Sequence, residues 1–275
     1  MGIEKTDQNE LAKDLILIQH AHYQPWISVL YKGPIQTWLK NPPSNIYYFF
    51  GKAQNTKVRK LDMIFWNLKW NKNVGRAFLF LEYLFHKLMN RYRPGIKLGF
   101  LPNSEIKAFK LEMPDLNLLY AHKTINTLEF ALTLPWERLV MVTSSSYINL
   151  KALDELLSDL PNRKLIAGKI LHQQANHFPS GSFRIFSRDV VEQLVKTRSK
   201  YRLYLPEDLA LGKLASTFDL PMIELSSIDL PDLETLESLS QEDLERTPHF
   251  RCKSGTHENR DDVEIILRLH ERLTT

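Results

Sequence analysis

The fold of this chain is decided by the stretch Arg138-Leu-Val-Met-Val-Thr-Ser-Ser-Ser-Tyr-Ile-Asn149. Its apolar beginning, Arg138 to Thr143, predicts a buried strand at the centre of a sheet. Polar serines follow this strand, and Leu150 to Leu157 then has the spacing of a helix. A strand that passes through a short polar segment into a helix is typical of α/β sheets, in which ligands bind beyond the carboxyl ends of the strands.

Predicted strands and helices alternate along the rest of the chain. Asp14 to His20 and Ile46 to Phe50 predict strands joined by a helix within Pro25 to Leu39, which makes an opening βαβ unit. The other predicted helices lie at Arg76 to Tyr92 and at Asn117 to Leu132, open at Ser187 to Asp189, run from after Asp208 through Phe218, and form an amphipathic tail from Arg260. An edge strand is predicted at Lys107 to Leu111, further strands at Lys164 to Leu171, Phe183 to Phe186 and Met222 to Leu225, and a turn at Phe178 to Gly181. We therefore predict an α/β fold with a mostly parallel central sheet and helices on both faces.

The composition is that of an ordinary globular protein. The chain has 275 residues, of which 43% are hydrophobic and 25% charged, so it is long enough to bury a sizeable core. Its single cysteine, Cys252, cannot form an internal disulfide, and no apolar stretch predicts a signal peptide or a membrane span. We expect a cytoplasmic protein, with the inner membrane surface as an alternative location.

Charge is distributed unevenly along the chain. Lys52 to Lys97 is rich in bases, whereas Glu224 to Glu245 contains acids and no base. A basic stretch of this kind either forms a solvated helix face, which we expect here, or contacts phosphate groups, with peripheral membrane contact as one form. We expect the apolar side of the helix at Arg76 to Tyr92 to pack on the sheet. No zinc-finger spacing or RNA-binding aromatic motif occurs, so no nucleic-acid partner is expected.

Five motifs follow one another from Asp115 onward. They are Asp115-Leu-Asn-Leu-Leu-Tyr-Ala-His-Lys-Thr124, Leu139-Val-Met-Val-Thr-Ser-Ser-Ser-Tyr-Ile-Asn149, Pro179-Ser-Gly-Ser-Phe-Arg-Ile-Phe-Ser-Arg-Asp189, Glu207-Asp-Leu-Ala-Leu-Gly212, and His249 within Pro248-His-Phe-Arg-Cys252. In this order the chain resembles the fringe and β-1,3-galactosyltransferase families of glycosyltransferases. The resemblance spans about two thirds of the chain, and the part before Asp115 is similar only in its βαβ pattern.

The resemblance implies a GT-A fold and a hexosyltransferase activity. It implies a single domain of residues 1–275, in which residues 1–135 form the nucleotide-binding half and residues 136–275 the acceptor and catalytic half. The implied reaction is inverting transfer of a sugar from a nucleotide sugar, a UDP-sugar in these families, to a hydroxyl of a carbohydrate or glycoconjugate acceptor. The acceptor oxygen attacks the anomeric carbon from the face opposite the diphosphate.

The chain departs from these families where they bind a metal. Their three aspartates after the central strand hold a divalent cation that bridges the donor diphosphate, because hard cations prefer carboxylate oxygen. Here Ser144, Ser145 and Ser146 occupy those positions. We therefore expect no obligatory metal and no other cofactor. A Mn²⁺ ion is an alternative only if His249 and other ligands compensate for the missing aspartates.

The resemblance also assigns roles to individual residues. Asp208, with Glu207 beside it, is the predicted catalytic carboxylate that deprotonates the acceptor hydroxyl; the alternative is that both acids only favour the start of a helix. Ser144, Ser145 and Ser146, together with Arg251 and Lys253, are predicted to bind the donor diphosphate. Gly181 and Ser182 are predicted to contact the acceptor. The alternatives for these residues are a polar loop without a ligand and a simple turn glycine.

Three functions are therefore compared. The first is a metal-independent glycosyltransferase, and the second is a non-catalytic binding or scaffold protein that keeps the same fold. The loss of the aspartates favours the second, whereas Glu207, Asp208 and the glycine turn favour the first. The third is a binder of phosphate or of membrane surfaces that uses Lys52 to Lys97, and its affinity would depend strongly on salt.

Overall fold

The central sheet contains the predicted strands in a mixed arrangement. A computed structural model describes residues 13–69, 75–89, 91–173, 176–203, 205–254 and 261–275. Within them the large sheet has eight strands in the order β3-β4-β2-β1-β5-β8-β7-β9. These strands are β1 (Leu15–Gln19), β2 (Ile46–Lys52), β3 (Ile96–Phe100), β4 (Lys107–Pro114), β5 (Arg138–Thr143), β7 (Ile166–Gln173), β8 (Asn176–Ser187) and β9 (Met222–Glu224). The pairs in the run β4-β2-β1-β5 are parallel, whereas β3, β8 and β7 add antiparallel pairs on either side.

A second, smaller sheet lies beside the end of β5. It contains β6 (Ser146–Ile148), β10 (Ile228–Asp229) and β11 (His249–Arg251) in the order β10-β11-β6. Strand β11 runs antiparallel to β6 and pairs Arg251 with Ser146. The small sheet thus brings the late segment around His249 next to the serines that follow the central strand.

Helices cover both faces of the large sheet, as predicted. The helices of the described residues are α1 (Trp26–Lys32), α2 (Thr56–Lys69), α3 (Gly75–Met89), α4 (Tyr120–Ala131), α5 (Leu150–Asp159), α6 (Arg188–Lys196), α7 (Glu207–Ala215), α8 (Leu233–Glu237), α9 (Gln241–Arg246) and α10 (Asp262–Thr274), and those on the two faces are named with the cores below. Side chains of β1 alternate between two cores: Ile16 and Ile18 join the core with α1, α5 and α10, whereas Leu15 and Leu17 join the core with α4, α6 and α7. This alternation is the period-2 pattern of a strand buried on both faces.

Three predictions about individual elements were wrong. Strand β4 is not an edge strand, because β3 pairs along its outer side. The predicted turn at Phe178 to Gly181 lies inside β8, which is one continuous strand, and a register shift in β7 between Gly168 and Ile170 absorbs the irregularity. The apolar side of α3 does not pack on the sheet, since Leu81, Leu84 and Leu88 are exposed. In the first case the hydrophobic pattern of β4 could not specify its neighbour.

Helix α7 depends on close contact between a glycine and β8. A methyl group placed on Gly212 would lie 2.0 Å from Cβ of Phe178, which no packed structure tolerates. We expect Gly212→Ala to lower the free energy of unfolding by about 1–3 kcal/mol, since the helix must move away from the strand. Urea denaturation measures this loss. The matched control is Gly99→Ala in β3, where nothing lies within 4 Å; equal losses in both variants would contradict the explanation.

Candidate active site

The predicted site residues line one cavity at the carboxyl ends of β1 and β5. The cavity has a volume of about 460 Å³. Its lining includes the following predicted residues: Ser144, Ser145, Gly181, Ser182, Glu207, Asp208, Arg251 and Lys253. Residues before Arg138, among them Gln19 and Trp26, complete the wall. Parallel strands place ligand sites at this edge of the sheet, so the topology explains why segments far apart in the sequence meet here.

Backbone hydrogen bonds hold the serine segment on two sides. The Ser144 amide donates to the carbonyl of Gln19 at 3.2 Å, which continues the pairing of β5 with β1. The Cys252 amide donates to the carbonyl of Ser145 at 2.9 Å. Arg251 and Lys253 flank that cysteine, so this bond sets the distance between the serines and the two cationic residues.

Ser146 differs from its neighbours and does not line the cavity. Its side chain is buried, and its Oγ lies 3.0 Å from Nε2 of His249. The other ring nitrogen of His249, Nδ1, lies 2.6 Å from the hydroxyl of Ser227. Ser146, which was predicted to bind the donor with Ser144 and Ser145, is thus the hydrogen-bond partner of a buried histidine.

His249 is held as a neutral residue in the interior. Its ring stacks on Phe183 with 4.6 Å between centroids, and burial lowers its pKa to about 3. Both ring nitrogens face serine hydroxyls, so neither is directed at a cation. Among the described residues, no three His, Cys, Asp or Glu side chains gather in a way that could hold a metal ion.

Glu207 is bound by a buried arginine. Arg184 is fully buried in β8, and its Nη1 and Nη2 donate to Oε2 and Oε1 of Glu207 at 3.1 and 2.5 Å. Burial alone would lower the pKa of Arg184, but the adjacent carboxylate raises it above its usual value. Both carboxylate oxygens of Glu207, which was predicted to act in catalysis with Asp208, are therefore occupied by Arg184. Glu207 positions the start of α7.

Asp208 is the carboxylate that faces the cavity. It is half-buried, and its Oδ1 accepts a hydrogen bond of 2.8 Å from the amide of Leu209. Oδ2 has no hydrogen-bond partner within the described parts of the chain. An ideal Cβ on Gly181 would lie 3.7 Å from Cβ of Asp208, so the glycine backbone passes directly beside this acid. Oδ2 can therefore accept a proton from a ligand that lies against Gly181.

The two serines around Gly181 support that backbone. Ser180 and Ser182 are both buried, and their hydroxyls lie 2.9 Å apart. The amide of Ser182 also donates to Oγ of Ser180 at 3.2 Å. Ser182 lines the cavity as predicted, although its hydroxyl already has a partner in Ser180.

Three aromatic residues of the cavity were missed by the sequence analysis as site residues. They are Trp26 in α1, Trp66 in α2 and Tyr120 at the start of α4. Tyr120 belongs to the motif that begins at Asp115, so the resemblance contained a signal for it. The tryptophans carried none, since their helices lie in the part of the chain where only the βαβ pattern was similar.

A buried ion pair connects two segments of the chain that line this cavity. Lys123 donates to Oδ1 of Asp115 at 2.8 Å and to the carbonyl of His20 at 3.1 Å. The amide of His22 donates to Oδ2 of Asp115 at 2.6 Å. The first motif thus ties α4 to the end of β1, and burial lowers the pKa of His20 to about 3.

The two buried histidines predict how stability depends on pH. In the unfolded chain a histidine binds a proton below pH 6.5, whereas folded His20 and His249 stay neutral down to about 3. Their contribution is therefore complete above pH 6.5 and is lost as the pH falls through this window. Between pH 6.5 and about 3, each histidine should lower the free energy of unfolding by about 1.4 kcal/mol for every pH unit of acidification.

The test compares His249→Gln with the unchanged protein in urea at neutral and acidic pH. We expect the variant to lose less stability on acidification, since one proton-binding group of the unfolded state is gone. His172→Gln changes an exposed histidine on β7 and serves as the control. An unchanged acid slope in His249→Gln would refute the assignment.

Comparison with solved structures finds 75 chains that are similar to this one, and the following likeness is a distant one. The crystal structure of mouse xyloside xylosyltransferase 1 in its apo form is similar to this chain with a TM-score of 0.38 and 9% identity, over 86% of this chain and 96% of that one. No family model and no curated protein matches the chain. A likeness this distant leaves the function to be argued from the cavity itself.

Proposed function

We propose that this protein is an inverting glycosyltransferase that uses a nucleotide sugar, a UDP-sugar by resemblance, without an obligatory metal. Ser144, Ser145, Arg251 and Lys253 bind the diphosphate. Asp208 accepts the proton of the acceptor hydroxyl. The observation that carries the proposal is the convergence of these residues and Gly181 on one cavity of about 460 Å³, which is within the size range of small-molecule sites.

The proposed chemistry transfers one sugar and one proton. The acceptor oxygen forms a bond to the anomeric carbon while the bond from that carbon to the diphosphate oxygen breaks. The proton of the acceptor moves to Oδ2 of Asp208, and the electron pair leaves with the nucleoside diphosphate. Arg251 and Lys253 stabilise the negative charge that develops on the leaving group, which is the task a divalent cation performs elsewhere.

Aromatic side chains make part of the cavity wall apolar. Trp26 and Trp66 present large apolar surfaces to the cavity, and such surfaces bury the carbon-bound hydrogens of a ligand while nearby polar groups fix its orientation. The acceptor hydroxyl then lies between Gly181 and Asp208.

The donor assignment predicts an effect on nucleotide affinity. We expect Arg251→Ala to weaken UDP binding about tenfold to a hundredfold, because it removes a charge-assisted hydrogen bond to phosphate. Calorimetric titration with UDP and a panel of nucleotide sugars, with Mn²⁺ and again with chelator, measures the affinity. The control is Lys151→Ala, which removes an exposed base from α5. Affinity that disappears with chelator would refute metal independence.

The alternative function is a non-catalytic binding or scaffold protein. The replacement of the three aspartates by Ser144 to Ser146 favours it. This alternative predicts that no nucleotide sugar is hydrolysed or transferred under any condition. Nucleotide binding without turnover across a panel of saccharide acceptors would favour the binding protein over the transferase. Absence of all nucleotide binding would contradict the donor-binding roles of Ser144, Ser145, Arg251 and Lys253, and would leave the scaffold.

A further inference from the structure

Helices α2 and α3 turn an apolar face toward solvent. In α2 the exposed residues Leu61, Ile64 and Phe65 follow the i, i+3, i+4 spacing of one helix side. In α3 the exposed residues are Phe80, Leu81, Tyr83, Leu84, Phe85 and Leu88, and Leu88 exposes 77% of its surface. The two helices pack against each other, and we call their exposed apolar residues together the hairpin face.

Asp62 fixes the direction of the hairpin face. This residue is buried on the opposite side of α2 and accepts hydrogen bonds from the amides of Asn117 and Leu118 at 2.8 and 3.3 Å. Trp66 lies one turn further along the same side and lines the active-site cavity. The side of α2 that carries Asp62 and Trp66 therefore faces the domain, and Leu61, Ile64 and Phe65 are left exposed on the outer side.

Bases border the hairpin face. Lys57 and Lys60 are exposed near the start of α2, and Lys87 and Arg91 are exposed at the end of α3. Asp62 offers them no counter-charge, since its carboxylate is buried against two backbone amides. An apolar helix side with lysine and arginine at its border is the pattern of helices that lie in the surface of a bilayer.

A basic cavity lies at the carboxyl end of α3. It has a volume of about 1050 Å³ and is lined by Leu84, Lys87, Leu88, Arg91, Arg93 and Arg198 among others. Glu129 binds both Arg93 and Arg198, and Lys87 and Arg91 add two further positive charges to the lining. Two leucines of the hairpin face form the apolar part of the lining. The cavity therefore joins a site for a phosphate group to a surface for hydrocarbon.

We propose that the hairpin face docks on the surface of an anionic lipid bilayer, with a lipid phosphate in the basic cavity and leucines of α3 among the acyl chains. A second copy of this chain fits less well, because it would bring the same bases against each other. A bilayer with anionic headgroups supplies both the apolar layer and the opposite charge. This inference is independent of sugar transfer, since it concerns a different surface and a different ligand.

The test is flotation of the full chain with phosphatidylcholine vesicles that either contain or lack phosphatidylglycerol. We expect the protein to float with the anionic vesicles and to remain in solution with the neutral ones. Lys87→Ala should lower the apparent affinity about fivefold, the value of one base near such a surface. Leu81→Ser with Leu88→Ser should lower it more than tenfold, since both side chains enter the acyl layer.

The control is Leu267→Ser, which changes an exposed leucine on α10 away from the hairpin face. Circular dichroism and urea denaturation of each variant establish that folding is unchanged. Equal flotation with neutral and anionic vesicles, or equal losses in the control and the Leu81/Leu88 variant, would overturn the proposal. If the protein bound no vesicles but its mass in solution rose with concentration, and Leu81→Ser abolished that rise, the hairpin face would bind a second copy of the chain and not a bilayer.

Discussion

Asp208→Asn is expected to reduce sugar transfer by about a hundredfold to ten-thousandfold, with nucleotide affinity nearly unchanged. The asparagine keeps the size and the hydrogen bond from the Leu209 amide but cannot accept the acceptor proton. The loss should therefore fall on kcat, because the interaction is made only as the proton moves. Initial rates with a nucleotide sugar and saturating acceptor measure it.

Asp159→Asn is the control for this prediction. Asp159 is an exposed acid at the end of α5, outside the cavity. Full activity in Asp159→Asn and lost activity in Asp208→Asn would assign the base. If Asp208→Asn transferred sugar at the unchanged rate, the general base would have to be sought elsewhere, since Arg184 occupies both oxygens of Glu207.

Arg184→Met is expected to lower the free energy of unfolding by about 3–5 kcal/mol, the usual result of removing one partner of a buried ion pair. The carboxylate of Glu207 would remain buried without its two hydrogen bonds. Because that carboxylate belongs to the first turn of α7, we expect transfer activity to fall as well. Urea denaturation and initial rates measure the two effects.

A double variant separates the pair from its surroundings. Arg184→Met with Glu207→Gln leaves no unpaired charge, so it should recover a large part of the stability that Arg184→Met loses. Activity should stay low in the double variant, since Asp208 is then held less firmly. Arg163→Met, which changes an exposed arginine, is the control. The single variant Glu207→Gln completes the comparison. If the double variant lost as much stability as the two single variants together, Arg184 and Glu207 would not act as a pair.

The sequence predicted the sheet well because its strands have strong patterns. Leu15 to Gln19 and Arg138 to Thr143 are buried on both faces, so both read as continuous apolar runs with the periodicity of strands. The sequence also predicted that Ser144, Gly181, Asp208 and Arg251 belong to one site. That prediction came from the order of the motifs and not from hydrophobic pattern or charge. Nothing in the local pattern says that α7 starts beside the middle of β8.

The errors have specific physical causes. Arg184 lies between Phe183 and Ile185 in an apolar stretch of β8, and a buried arginine in such a place requires a partner; the sequence pattern indicates an acid but does not identify Glu207. The helix at Gly75–Met89 was misjudged because an apolar stripe has the same spacing whether it faces a core or a bilayer. Only the position of the neighbouring elements distinguishes the two.

Helix α2 has ligands on its two sides if both proposals hold, and this has a thermodynamic consequence. Trp66 contacts the cavity while Ile64 and Phe65 point outward on the same rigid helix. Any ligand that favours one placement of this helix changes the affinity at its other side, and linkage makes the effect reciprocal. A donor that tightens attachment to vesicles by some factor must itself be bound more tightly, by the same factor, on those vesicles.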